Sequence, residues 1–185
     1  MKKNMVAMIV ATVMATATMG SAMAEAQDVT VNGGTIYFKG NVVDAACSVV
    51  AGNDGDGQTV SLDQARTTKL SAAGMLANQK QDFHIDLKDC DPTVSQNAAV
   101  IFNAQEDTTV AGAMANTAGA GSATNVALQL FGPDGKKLPI GAESSSVVID
   151  TATVRIPLSV DYVATVGAAT PGDVAATATF KIHYS

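Results

Sequence analysis

Alternation of apolar and polar side chains at every second residue is the dominant pattern of this chain. Phe83, Ile85 and Leu87 alternate with His84, Asp86 and Lys88; Val126, Leu128 and Leu130 mark a second face; Val154, Ile156, Leu158, Val160 and Tyr162 mark a third and longer one. A period of two puts each set on one side of a pleated backbone, so each stretch predicts a half-buried β-strand. Shorter candidates lie at residues 37–50, 58–62 and 98–102, divided by turn-forming sequences such as GNDGDG, FGPDG and ATPGD. No stretch sustains a helical period, although residues 63–79 have room for a turn or two of helix. Several strands joined by turn chemistry predict an all-β chain folded as an antiparallel β-sandwich.

Two stretches depart from the alternation. Residues 104–124, AQEDTTVAGAMANTAGAGSAT, are small and non-periodic and predict a surface loop. Pro157 falls inside the longest strand, where it removes a ladder donor, so that strand is expected to be an edge at that point or to carry a bulge. At the end of the chain, Ala176, Ala178, Phe180, Ile182 and Tyr184 alternate with polar partners up to Ser185. An unpaired, half-apolar edge invites association, so this strand calls for a neighbour from elsewhere in the chain or from another chain. The same question arises near the start, where DVTVNGGTIYF, residues 28–38, has strand character ahead of any globular segment.

The compartment follows from what precedes that strand. Lys2 and Lys3 lead into an apolar run from Met5 to Met19, and Ala22-Met23-Ala24 supplies the small-x-small pattern of a signal-peptide cleavage site. Residues 1–24 are therefore expected to be removed on export, leaving about 160 residues, enough for one domain with a real core. The full chain carries a formal charge of −6, and loss of Lys2 and Lys3 makes it more acidic still. That excludes nucleic acid or an anionic membrane surface as a partner, since both require clustered Lys and Arg. Cys47 and Cys90 are the two cysteines. In an exported chain they are expected to form a structural disulfide, stabilising by roughly 4 kcal/mol on a chain-entropy account. A redox couple would favour Cys-x-x-Cys, and a zinc site would need further close ligands.

Together these residues resemble a known family. TVNGGTIYFKGNVVDAAC, the Cys47 and Cys90 pair, GSATNVALQL, IPLSVDYVAT and the ending ATPGDVAATATFKIHYS are similar to the chaperone-usher pilins, in particular to the major subunit of type 1 fimbriae. The resemblance covers essentially all of the chain beyond residue 24, and its most specific marks are Tyr184, Gly172 and VNGG. It implies an immunoglobulin-like sandwich lacking its last strand, spanning residues 38–185 and completed by donor-strand exchange. The strand given away is then the extension at residues 25–37, with Val29, Val31, Gly33, Thr35 and Tyr37 on the face that enters a neighbour's groove. Before assembly, the resemblance implies, a periplasmic chaperone covers the same groove and contacts the edge formed by Phe180, Ile182 and Tyr184, with Gly172 near its start. Tyr184 stands out, because a terminal tyrosine has little packing reason to be there. An outer-membrane usher, other fimbrial subunits and a place at the cell surface complete the expectation.

The remaining chemistry-bearing residues do not assemble into a site. The acidic turn at residues 53–57 lacks the glutamate a calcium loop needs. His84 and His183 sit on polar strand faces with no close ligand partner. GPDGKK, residues 132–137, lacks phosphate-loop spacing and reads as a hairpin turn, no Gly-x-Ser-x-Gly is present, and the scattered carboxylates define no acid/base pair. The chain is therefore read as a structural fimbrial subunit, not an enzyme, with no cofactor and no small-molecule substrate. The alternative is a minor, adaptor or glycan-binding fimbrial subunit.

Overall fold

The computed structural model describes residues 35–37, 45–50 and 57–185. Backbone contacts divide the chain into two units, Met1–Asn41 and Val42–Ser185, and every strand described here belongs to the second. In chain order these are β1 (Ser48–Val50), β2 (Gln81–Lys88), β3 (Asn97–Ala104), β4 (Met114–Ala115), β5 (Val126–Phe131), β6 (Lys137–Leu138), β7 (Val147–Val148), β8 (Thr153–Ala164) and β9 (Ala178–Tyr184). One sheet runs β1-β2-β8-β5-β4, with β6 also paired to β5; the other runs β7-β3-β9. All of these strand pairings are antiparallel. The helical content of 63–79 amounts to one 3-10 turn, Thr67–Lys69.

The inner faces are those the alternation predicts. Ile85 and Leu87 from β2, Ala98, Val100 and Phe102 from β3, Leu128 and Leu130 from β5, and Val154, Ile156, Leu158 and Val160 from β8 form one core cluster. Phe102 links the sheets, its ring 6.4 Å from Phe83 edge-on and 6.0 Å from Phe180. Pro157 sits where expected, at a local edge. Opposite His84 it has β2 on one side, while pairing with β5 stops at Phe131↔Ser159. The β5–β6 connection closes as a hairpin, with Gly132 N–H donating to Lys136 O and Gly135 N–H to Gly132 O.

Three sequence expectations change. First, β5 is buried along its whole length instead of on one face, and Asp161 and Ser159 on the outer side of β8 are buried too. Residues 74–77 pair with the end of β8, Ala77 N–H donating to Tyr162 O at 3.1 Å and Ala164 N–H to Met75 O at 2.9 Å, and on the outer face Leu76, Val110 and Ala113 pack with Ala127 and Val163. Second, residues 104–124 are more than a surface loop. Ala113 is fully buried against Ala127 and Val163 on the outer face, while Met114 joins the inner core. Small side chains let this backbone lie close on the sheet, so packing by proximity replaces the alternation that a larger strand would show. Third, residues 58–62 form no ladder, although Val60 and Leu62 are half-buried and their neighbours Thr59, Ser61 and Asp63 exposed. The side chains keep a strand's alternation while the backbone lacks a strand's partner.

Candidate functional site

The core is incomplete along β9. Its residues pair with β3 from Ala98↔Tyr184 through Val100↔Ile182 and Phe102↔Phe180 to Ala104↔Ala178. Among the described residues no strand pairs with the other edge of β9. Val100 and Phe102 are buried, whereas their partners Ile182 and Phe180, and Tyr184 beyond them, are only half-buried. Apolar side chains that face inward and are still partly wet mark the place where a layer of the sandwich is missing.

A groove of about 590 Å³ opens there, lined by Val60 and Leu62 on one wall and by Ala176, Ala178 and Phe180 on the other. Its floor is the core itself: Phe83, Ile85, Phe102, Met114, Leu128 and Val160, drawn from both sheets. A second lobe of about 830 Å³ continues past Leu62 between Arg66, Lys69 and Leu70 on one side and Pro171, Gly172, Asp173 and Val174 on the other. The ladder-free segment 58–62 and the free edge of β9 thus border one trough. Tyr162 holds the first wall, its hydroxyl donating to Asp63 O at 3.1 Å, and burial pushes that phenol's pKa up, with the charges of Asp63 and Asp161 adding to the shift. Gln79 Nε2 donates to Gln64 O at 3.2 Å beside it.

Tyr184 has a packing reason, contrary to expectation. Its ring packs against the core cluster and its hydroxyl donates to Cys47 O at 3.2 Å, a contact bridging the two sheets; burial raises its pKa. Cys47 and Cys90 are bonded to each other, just before β1 and just after β2, and so fasten the end of the β1–β2 pair beneath Tyr184. Asn97 and Ser185 exchange both main-chain bonds at this end of β9. Gly172 lies outside β9, on the wall of the wider lobe. A Cβ there would stand 2.5 Å from Ser122 C, 2.6 Å from Gly121 O and closer still to Ala123 N. Of the residues predicted for the donated face, Thr35 and Tyr37 are exposed; Val29, Val31 and Gly33 lie outside the described residues. Sequence reasoning missed Val60, Leu62, Met114 and Tyr162 as groove residues. The alternation at 58–62 pointed to the first two, but only the absent ladder gives them a role.

A family model described as "Fimbrial protein" matches residues 36–185. The chain belongs to this family. It is 45% identical to the type-1 fimbrial protein A chain of Escherichia coli over 168 residues, 89% of each chain. It is 44% identical to the fimbrial subunit type 1 of Klebsiella pneumoniae over 176 residues, covering 93% of this chain and 94% of that one. A chain in the solved structure of a chaperone-usher pilus shares the fold with a TM-score of 0.67 at 22% identity, over 86% of this chain and all of that one. The two antiparallel sheets are thus an immunoglobulin-like sandwich of the pilin type. This fimbrial protein is a structural subunit of a pilus displayed at the cell surface.

Proposed function

We propose that the subunit polymerises by strand donation: residues 28–37 of one copy enter the groove between residues 58–62 and β9 of another. The single observation that carries this is the trough bordered by the ladder-free segment 58–62 and the free edge of β9 and floored by core side chains. A strand of about ten residues spans roughly 33 Å and satisfies both borders with backbone hydrogen bonds, while alternate side chains drop onto the floor. Val29, Val31, Gly33, Thr35 and Tyr37 form the inserted face, with Gly33 permitting close approach of the backbone. Residues 1–24 are a signal removed on export, 25–37 the donated extension and 38–185 the accepting domain; the break between backbone units at Asn41 falls close to the last boundary. A periplasmic chaperone fills the groove first and contacts Phe180, Ile182 and Tyr184, with Gly172 at the margin, and an outer-membrane usher exchanges it for the next subunit. The chain serves as building material and performs no catalysis.

Val31→Asp tests the assignment, because burying an unpaired carboxylate in an apolar groove is strongly unfavourable. Expressed as the sole copy, the variant is exported and oxidised but yields no fibres in electron micrographs. Rods of normal length would refute donation through this face. Deletion of residues 28–35 gives the same result, leaving the disulfide and the accepting edge intact.

A further inference from the structure

The groove's β9-side wall begins ahead of the strand, at Gly172–Ala176, where its links to the sandwich are a single bridge between Ser122 and Asp173 and a few bonds to residues 116–123. One side chain makes more of these links than any other. Asn116, two residues past Met114 on the groove floor, donates from Nδ2 to Ala123 O at 2.9 Å and to Asp173 O at 3.0 Å. Its Oδ1 accepts from Ala118 N–H at 3.2 Å and from Ala175 N–H at 3.0 Å. A carboxamide has two donors and two acceptor sites, and all four are used. Three of the four partners are main-chain groups of Ala123, Asp173 and Ala175, so the amide clamps the 121–123 turn and the wall into one unit. Main-chain bonds run alongside it: Asp173 N–H to Gly121 O, Ala123 N–H to Asp173 O and Thr117 N–H to Ala175 O. Asp173 and Val174 line the wide lobe and Ala176 the deep one, whereas Asn116 lines neither.

We propose that Asn116 is a positioning residue for strand capture: through Asp173 and Ala175 it fixes the groove wall before a strand arrives, without touching that strand. On the strand-donation function proposed above, a preformed wall removes an ordering cost from the encounter. With Asn116 truncated, the wall keeps its main-chain bonds but loses the amide that ties Asp173 and Ala175 to the 121–123 turn, so part of its ordering falls to the moment the strand seats and capture slows. Release changes little, because the seated strand itself then holds the wall.

The test uses the full mature chain with its disulfide intact, mixed with the labelled peptide DVTVNGGTIYF, residues 28–38. Fluorescence anisotropy gives association and dissociation rates. Asn116→Ala is expected to associate about tenfold more slowly, with dissociation changed less than about twofold. Ile149→Val is the comparator for general destabilisation: Ile149 is buried and its N–H bonds to Gln96 O, beside Ser185 at the opposite end of β9. Asn116→Asp is the second variant should the alanine form fail to fold, since it keeps an acceptor for Ala118 and Ala175 but turns an oxygen on two carbonyls; it too should associate slowly. Wild-type association by Asn116→Asp, or slowing equal to that of Ile149→Val, overturns the role of Asn116 alone. Failure of the wild-type chain to bind the peptide overturns strand capture itself, and the role of Asn116 with it.

Discussion

Gly172→Ala is the substitution whose effect the structure defines most sharply. The added methyl would meet Ala123 N, Ser122 C and Gly121 O, all of them main-chain atoms that no side-chain rotation can move aside. The backbone there also has φ +156°, a region glycine occupies freely and alanine does not. If the backbone holds its position, the conformational strain costs about 1–3 kcal/mol, and the overlap with three main-chain atoms, absent at Gly121, comes on top of it. If the wall instead withdraws, it loses the bonds Asp173 N–H to Gly121 O, Ala123 N–H to Asp173 O and Asn116 Nδ2 to Asp173 O. At about 0.5–1.5 kcal/mol each, the three sum to a loss of about 1.5–4.5 kcal/mol. Gly121 is the internal control, with φ +84° but no atom within 4 Å of an added Cβ; alanine there incurs only the conformational cost of about 1–2 kcal/mol. Urea unfolding of the oxidised subunits, followed by near- and far-ultraviolet circular dichroism to check a two-state transition, measures both. Gly172→Ala should be the more destabilised by about 1 kcal/mol or more. Equal losses in the two variants would refute the clash as the reason for glycine at position 172.

The other predictions concern the far end of the groove and the outer face. Tyr184→Phe removes the bond to Cys47 O and should lower stability by about 0.5–1.5 kcal/mol, whereas Tyr184→Ala also strips the half-buried ring, costs clearly more and reduces recovery of the periplasmic chaperone complex; equal losses would show that the ring contributes nothing. Thiol titration of the unfolded subunit should find no free cysteine, and replacing both Cys47 and Cys90 by serine should cost about 2–5 kcal/mol in urea unfolding; two titratable thiols would contradict the bond. The Arg155 hydrogen bond, with Nε 2.8 Å from Asp86 Oδ1, holds the Asp86 pKa below the usual carboxylate range, the charges of Arg155, His84 and Lys88 assisting. A depressed carboxylate contributes stability above its unfolded pKa of about 4, lost as pH falls through the folded value. Asp86→Asn should therefore cost about 0.2–1 kcal/mol at pH 7, since Arg155 is exposed, and the gap to wild type should close on acidification towards pH 2; a gap that widens would reverse the assignment.

Legibility in the sequence tracked the physical origin of each feature. The strands β2, β5, β8 and β9 could be read because apolar side chains alternate on them, and β3 because a short apolar run lies between turn-forming stretches; both are local signals. The contact between Pro157 and a ladder end, the hairpin at residues 132–136 and the bond between the two cysteines were equally local or followed from export. What escaped depends on distant chain. The burial of Ala113 against Ala127 and Val163 requires only small side chains, which carry no period. Asp161, on a polar face, is buried where the chain at Gln79 comes up to it, its Oδ1 accepting from Tyr162 N–H at 2.8 Å and Gln79 N–H at 3.4 Å. Asn116 is one polar residue in a run of small ones, and its partners Asp173 and Ala175 lie 57 and 59 positions away. Residues 58–62 show the converse case: their side chains alternate as a strand's do, yet they form no strand and join no ladder.

That converse case bears on why the polymer should be durable. Across one ladder, Val100 and Phe102 are buried while Ile182 and Phe180 stay partly exposed, so the free subunit leaves up to about a third of the burial of each inward β9 side chain unrealised. Full burial of a large apolar side chain is worth about 1.5–3 kcal/mol, and the fractions still missing from Phe180, Ile182 and Tyr184 together amount to about 1–3 kcal/mol. On the strand donation proposed above, full burial of Val29 and Val31 adds about 3–6 kcal/mol, and the strand's backbone bonds to both borders add more. The sum approaches the 5–15 kcal/mol by which a whole domain is ordinarily stable. A joint of that strength cannot let go by sliding apart at a surface; withdrawing the strand reopens the core. The barrier to separating two subunits then resembles the barrier to unfolding one, and the fibre's persistence is a matter of unfolding kinetics more than of binding equilibrium.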